Sequence, residues 1–134
     1  MMAKVMVVDD AAFMRMMLKL LLVEAGHEVI AEATNGREAV HTYMKYKPDL
    51  VTMDVTMPEL DGIGAVRQIR KLDPLAKIIM CSAMGQNALI VDAISSGAKD
   101  YIVKPFEKKE IIDAVNKVLD ESSLSFEDLR RRFR

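Results

Sequence analysis

At 134 residues, about half of them apolar, the chain has material for one domain with a full core and little besides. A net charge of −1 with both signs interspersed offers no basic field for nucleic acid, and the single cysteine, Cys81, rules out an internal disulfide framework and suits a reducing compartment. Asp9 and Asp10 interrupt the place where a signal-peptide core would lie, and no apolar stretch approaches the roughly 18 residues needed to span a bilayer, so a cytoplasmic protein without membrane or nucleic-acid partners is expected.

The first short run, residues 4–8, is apolar on both faces and reads as a buried parallel strand that delivers Asp9 and Asp10 at its end. A helix is predicted from Phe13 to Glu24, stopped by Gly26, with Met14, Met16 and Met17 as plastic core filler. Residues 28–32 form a second strand that carries no reactive group. Asn35 with Glu38 makes a capping box for a helix to about Lys45, ended by Pro48. The third strand, residues 49–53, delivers Asp54. Asp61-Gly62 opens a helix to about Leu72, closed by Asp73-Pro74; Gly62 and Gly64 read as helix-start geometry rather than a phosphate-cradling loop.

The fourth strand, residues 77–81, ends in Cys81, read as a small buried hydrophobe, and delivers Ser82. A helix from Gln86 to Ser96 ends at Gly97. Its residues Leu89, Ile90, Val91, Ala93 and Ile94 cover roughly 200° of circumference, wider than the stripe of about 100° a buried face requires, so part of it is expected to face a partner. Residues 100–103 form the fifth strand, followed by Lys104-Pro105 and a last helix from Glu107 to about Asp120. The order is (βα) five times, an α/β fold with right-handed crossovers.

In doubly wound sheets ligands sit beyond the carboxyl ends of the strands, so Asp9, Asp10, Asp54, Ser82 and Lys104 are expected at one site. Three carboxylates within about 4 Å repel by roughly 4 kcal/mol per pair at an effective dielectric near 20, and stay ionised together only around a cation. Hard oxygen donors with room for water point to Mg²⁺; His27 and His41 lie outside these motifs, read as surface residues, and give zinc no support. Asp54, alone at the end of the central strand, is the candidate nucleophile toward phosphorus, with Lys104 and Ser82 as its charge and hydrogen-bond partners.

The segments Val8-Asp9-Asp10, Asp54-Val55-Thr56-Met57-Pro58, Asp61-Gly62, Cys81-Ser82-Ala83 and Lys104-Pro105-Phe106 resemble the receiver domain of two-component response regulators, in order and at the family's spacing from about Lys4 to Glu121. Val8 to Leu18, Thr34 to Val40 and Lys99 to Phe106 look most like the single-domain chemotaxis regulators, the CheY-like group. The resemblance implies a flavodoxin-like sheet of order 2-1-3-4-5, for which those regulators are themselves a standard example. It also implies a phosphoryl group taken by Asp54 from a histidine kinase, and Mg²⁺ held by Asp10, by Asp9 through water, by Asp54 and by the Thr56 carbonyl. Lys104 would contact phosphate, with the bond to Pro105 in cis, while Ser82 and Tyr101 form a switch pair. Thr56 and Met84 flank the path of the hydrolytic water and tune the signal's lifetime. The implied partners are the kinase, a flagellar motor switch protein or chemotaxis adaptor, and a helper phosphatase, acting on a monomer.

Residues 1–121 are therefore expected to form the receiver and 122–134 an extension. Ser125 with Asp128 signals a capping box there, and Phe126, Leu129 and Phe133 share a helical face. Two alternatives stand beside the signalling receiver. One is a receiver portion of a longer regulator with a DNA-binding or methylesterase part. The other, more remote, is an aspartyl-phosphate phosphatase, which wants a second acid where this chain has Thr56.

Overall fold

The computed structural model describes residues 2–120. The chain alternates β1 (Lys4–Val8), α1 (Ala12–Glu24), β2 (Glu28–Ala33), α2 (Gly36–Tyr46), β3 (Leu50–Met53), α3 (Gly62–Leu72), β4 (Ile78–Ser82), α4 (Asn87–Ser95), β5 (Asp100–Val103) and α5 (Lys108–Leu119). All pairings are parallel and the order is β2-β1-β3-β4-β5, as expected, with β3 at the centre.

The alternation of side chains along each strand builds two cores, one on each face of the sheet. Met6, Val8, Val51, Met53, Ile78 and Met80 point toward α2, α3 and α4, where Ala39, Ile63, Val66, Ile69 and Ala93 close the layer. Val5, Val7, Leu50, Ile79, Cys81 and Ile102 point the other way, against Leu18 and Leu22 of α1 and Ile111, Ala114, Val115 and Val118 of α5. Within that second core the Thr52 hydroxyl is buried and has no hydrogen-bond partner among the described residues.

Helix starts follow the expected chemistry. Asn35 accepts from the Glu38 amide at 2.8 Å, and the Glu38 carboxylate reaches back to the Thr34 amide at 3.1 Å, one residue earlier than a standard capping box. Asp61 caps α3 through the Gly64 amide at 2.8 Å. Glu107 and Glu110 form a reciprocal box at the start of α5. The expected helix around Phe126 to Phe133 lies outside the described residues.

Two expectations are corrected. His27 is not a surface residue: it is 5 % exposed and its Nδ1 accepts from the Ala3 amide at 3.1 Å, so burial holds its pKa below the ordinary value. His41 is exposed. Of the methionines read as core filler, Met14 is partly buried, but Met16 stands on the outer face of α1 at 53 % exposure. A segment apolar around most of its circumference does not reveal which side it buries.

Candidate carboxylate and phosphoryl site

The site forms where β1, β3, β4 and β5 end together. The Asp54 amide donates to the Val8 carbonyl at 3.0 Å and the Asp9 amide to the Ala33 carbonyl at 3.1 Å, so the sheet ladder itself aims both side chains beyond the carboxyl edge. The following loop is pinned from below. The Gly62 amide donates to the Val55 carbonyl at 2.8 Å, and a Cβ on Gly62 would stand 1.9 Å from the Asp54 carbonyl oxygen. Gly36 is under the same constraint, since a Cβ there would meet the Leu60 carbonyl oxygen at 2.0 Å. Glu59 completes the turn in the left-handed region at φ 67°. These glycines are supports of the site, which helix-start geometry alone does not convey.

Asp9, Asp10 and Asp54 each offer a carboxylate oxygen, and the three atoms lie within 4.8 Å of one another. Asp9 and Asp54 are buried and Asp10 is exposed, so the cluster opens to solvent on one side. Asp9 is fixed at both oxygens: Oδ1 accepts from the Ala11 amide at 2.9 Å and Oδ2 from Lys104 Nζ at 2.8 Å. Lys104 Nζ also stands 3.9 Å from Asp54 Oδ2, and Arg15 donates to the Asp9 carbonyl at 2.8 Å. Burial pushes the Asp54 carboxyl above its ordinary pKa. The Lys104 ammonium and the amides of Thr56 and Val55 oppose that rise, and the Asp9 charge adds to it. An all-oxygen cluster with an open side suits a hard divalent cation that keeps part of its water, which is the behaviour of Mg²⁺.

Ser82 and Tyr101 are linked through the backbone of one residue, Met84. Ser82 Oγ accepts from the Met84 amide at 3.1 Å, while the Tyr101 hydroxyl donates to the Met84 carbonyl. Tyr101 is buried at 1 % exposure, and burial raises its pKa. The Lys104 amide donates to the Ser82 carbonyl at 2.8 Å, and the Lys104–Pro105 peptide is cis. Cys81 lies buried behind the site with its thiol pushed up to about 12 by desolvation. Thr56 and Met84 are both exposed at the mouth. Of the residues singled out in the sequence, Asp9, Asp10, Asp54 and Lys104 are thus brought together, and Ser82 and Tyr101 are joined through the Met84 backbone. The Met84 backbone as their link went unnoticed, because a main-chain partner leaves no mark on residue type.

The response regulator receiver domain model matches residues 5–116. The chain is 62 % identical over 115 residues to the chemotaxis protein CheY of Thermotoga maritima, covering 86 % of this chain and 96 % of that one. It is 57 % identical to CheY of Bacillus subtilis, over 87 % and 98 % of the two chains. Among solved structures, the CheX–CheY–BeF3–Mg²⁺ complex from Borrelia burgdorferi matches with a TM-score of 0.84 and 37 % identity over 86 % of this chain and 87 % of that one.

Proposed function

Because the chain belongs to the response regulator receiver family, we propose that its carboxylate cluster is the phosphorylation site of a chemotaxis switch, with Asp54 as phosphoacceptor. The observation that carries this reading is the convergence of Asp9, Asp10 and Asp54 within 4.8 Å, with Lys104 Nζ 2.8 Å from Asp9 and 3.9 Å from Asp54. One Asp54 oxygen attacks phosphorus while the P–N bond to a kinase imidazole breaks, the leaving nitrogen keeping the electron pair. Asp10, Asp9, Asp54 and the Thr56 carbonyl would hold Mg²⁺, which when bound supplies positive charge to the phosphoryl oxygens. Lys104 moves its hydrogen bonding from Asp9 toward those oxygens, and the Ser82 hydroxyl turns to them from the Met84 amide.

The product adds negative charge and strong acceptors at the sheet edge, and biases a pre-existing equilibrium by no more than its differential interaction with the two states. The readout face is α4, β5 and α5, where Val91 is 63 % exposed and Val103 37 %. A histidine kinase upstream, and a flagellar switch protein or chemotaxis adaptor downstream, are the partners this reading implies. The Borrelia structure holds CheY in complex with a second protein, CheX, which supports a further protein partner for this receiver; the reading assigns such a partner the role of helper phosphatase. Residues 1–121 are taken as the receiver. The alternative, a receiver belonging to a longer regulator with a DNA-binding or methylesterase part, is separated by reading the complete open frame.

The test is phosphoryl labelling by a phosphorylated histidine kinase or by acetyl phosphate. Asp54→Asn should take no label, and the parent should lose labelling on chelation. Labelling that survives either treatment overturns the assignment.

A further inference from the structure

Asp10 is the least held of the three clustered carboxylates. Its side chain is exposed and makes no hydrogen bond or ion pair with any other side chain among the described residues, so its place beside Asp9 and Asp54 is set by the backbone on either side of it. On one side the Ala11 amide donates to Asp9 Oδ1 at 2.9 Å. On the other, the Asp9 carbonyl belongs to the same planar peptide unit as the Asp10 amide, and that carbonyl accepts from Arg15 Nη1 at 2.8 Å.

Arg15 is itself braced. Its Nε donates to Glu32 Oε1 at 3.2 Å on β2, the strand whose Ala33 carbonyl takes the Asp9 amide at 3.1 Å. The side chain is only 18 % exposed, although it stands in the first turns of α1. A guanidinium presents several donors in a rigid planar fork, so one arginine can span from α1 to β2 and still hold the carbonyl at the end of β1. Two effects on the neighbouring cluster follow, and they oppose each other. The positive charge of Arg15 repels a cation, while its hydrogen bond orders the peptide that carries Asp10.

Taking the cluster as the phosphorylation site read above, we propose that Arg15 is a positioning residue for its cation: by holding the Asp9–Asp10 peptide it fixes where the Asp10 carboxylate stands, and it strengthens Mg²⁺ binding in spite of its own charge. Charge and positioning predict changes of opposite sign when Arg15 is neutralised, which separates them in one titration.

Mg²⁺ titration of the complete chain, followed by amide chemical shifts at Asp10, Ala11 and Thr56, reads affinity without any phosphoryl transfer. Arg15→Gln should weaken Mg²⁺ binding about 10-fold, the size typical when a residue that orients a metal ligand is lost. Arg15→Lys keeps the charge but cannot hold both acceptors in one rigid fork, so its affinity should fall between parent and Arg15→Gln. Lys19→Gln removes a cation 3.9 Å from Glu32 without reaching Asp9, and should bind Mg²⁺ as the parent does. Equal or tighter binding in Arg15→Gln overturns the proposal, as does parental affinity in Arg15→Lys, which decides the matter if Arg15→Gln does not fold. A loss in Lys19→Gln as large as that in Arg15→Gln also overturns it, since the effect would then travel through the charge of Glu32. A parent that binds no Mg²⁺ takes down the phosphorylation-site reading itself, whereas a parent that binds Mg²⁺ and labels at Asp54 while Arg15→Gln matches its affinity removes only the role of Arg15.

Discussion

Gly62→Ala is expected to damage the site from beneath, without touching any group that does chemistry. The new Cβ would lie 1.9 Å from the Asp54 carbonyl oxygen, a backbone atom that no rotamer change can move aside. Restoring a tolerable 3.0 Å contact requires a shift of about 1.1 Å in either β3 or the first turn of α3. Either shift breaks the 2.8 Å hydrogen bond from the Gly62 amide to the Val55 carbonyl. Overpacking costs roughly 2 kcal/mol and the lost bond about 1 kcal/mol more, less up to about 1 kcal/mol regained from helix propensity. A net loss of about 2 kcal/mol lowers the melting midpoint of a domain this size by roughly 8 °C. Displacing a reacting group by about 1 Å slows its reaction on the order of 100-fold. The control is Gly64→Ala, whose Cβ meets Leu60 Cδ1 at 2.8 Å, the movable end of a side chain. That variant should be neutral or slightly stabilised. Thermal denaturation and acetyl phosphate labelling of both proteins provide the comparison. Equal stability and equal labelling in the two variants would refute the claim that a glycine is required by the closeness of the Asp54 backbone.

Thr52→Val, which removes a buried hydroxyl without a partner, should stabilise the domain by about 1 kcal/mol in chemical denaturation; destabilisation would show that the hydroxyl is satisfied. His27 has its folded pKa depressed below 6.5 by burial while its neutral Nδ1 accepts from the Ala3 amide, so the unfolded chain binds the proton more readily. Stability should therefore fall as pH drops below 6.5, and His27→Gln should flatten that part of the denaturation profile; an unchanged profile would remove His27 as its cause. The phosphorylated protein should lose its phosphoryl group slowly. Thr56 and Met84 offer no carboxylate or amide to orient water, so decay in Mg²⁺ buffer should be slower than in Thr56→Asn and Met84→Glu, and a parent that decays as fast as both defeats the shielding argument.

The strands were legible as short apolar runs, four of them marked at their ends by Asp9, Asp54, Ser82 and Lys104 and β2 carrying no such residue. Asp61 and Asn35 announced their helices by local hydrogen bonding that depends on neighbours three residues away. What escaped was through-space. Gly36 and Gly62 are required by carbonyls of Leu60 and Asp54, which no periodicity reports. His27 is buried with its Nδ1 accepting from the Ala3 amide just before β1, a partner 24 residues away in the chain. Helix α1 is apolar on nearly every side, so its buried Leu18 and exposed Leu20 are indistinguishable until the sheet arrives.

The backbone of Met84 joins Ser82 to Tyr101 through its amide and its carbonyl, while its side chain is exposed to solvent. On the proposed assignment, the switch and the lifetime of the signal share one residue yet use different atoms of it. Selection can replace the side chain to lengthen or shorten the response, because any amino acid except proline supplies the same amide and carbonyl. Under that assignment a receiver can change how long its signal lasts while the backbone link that carries the signal stays the same.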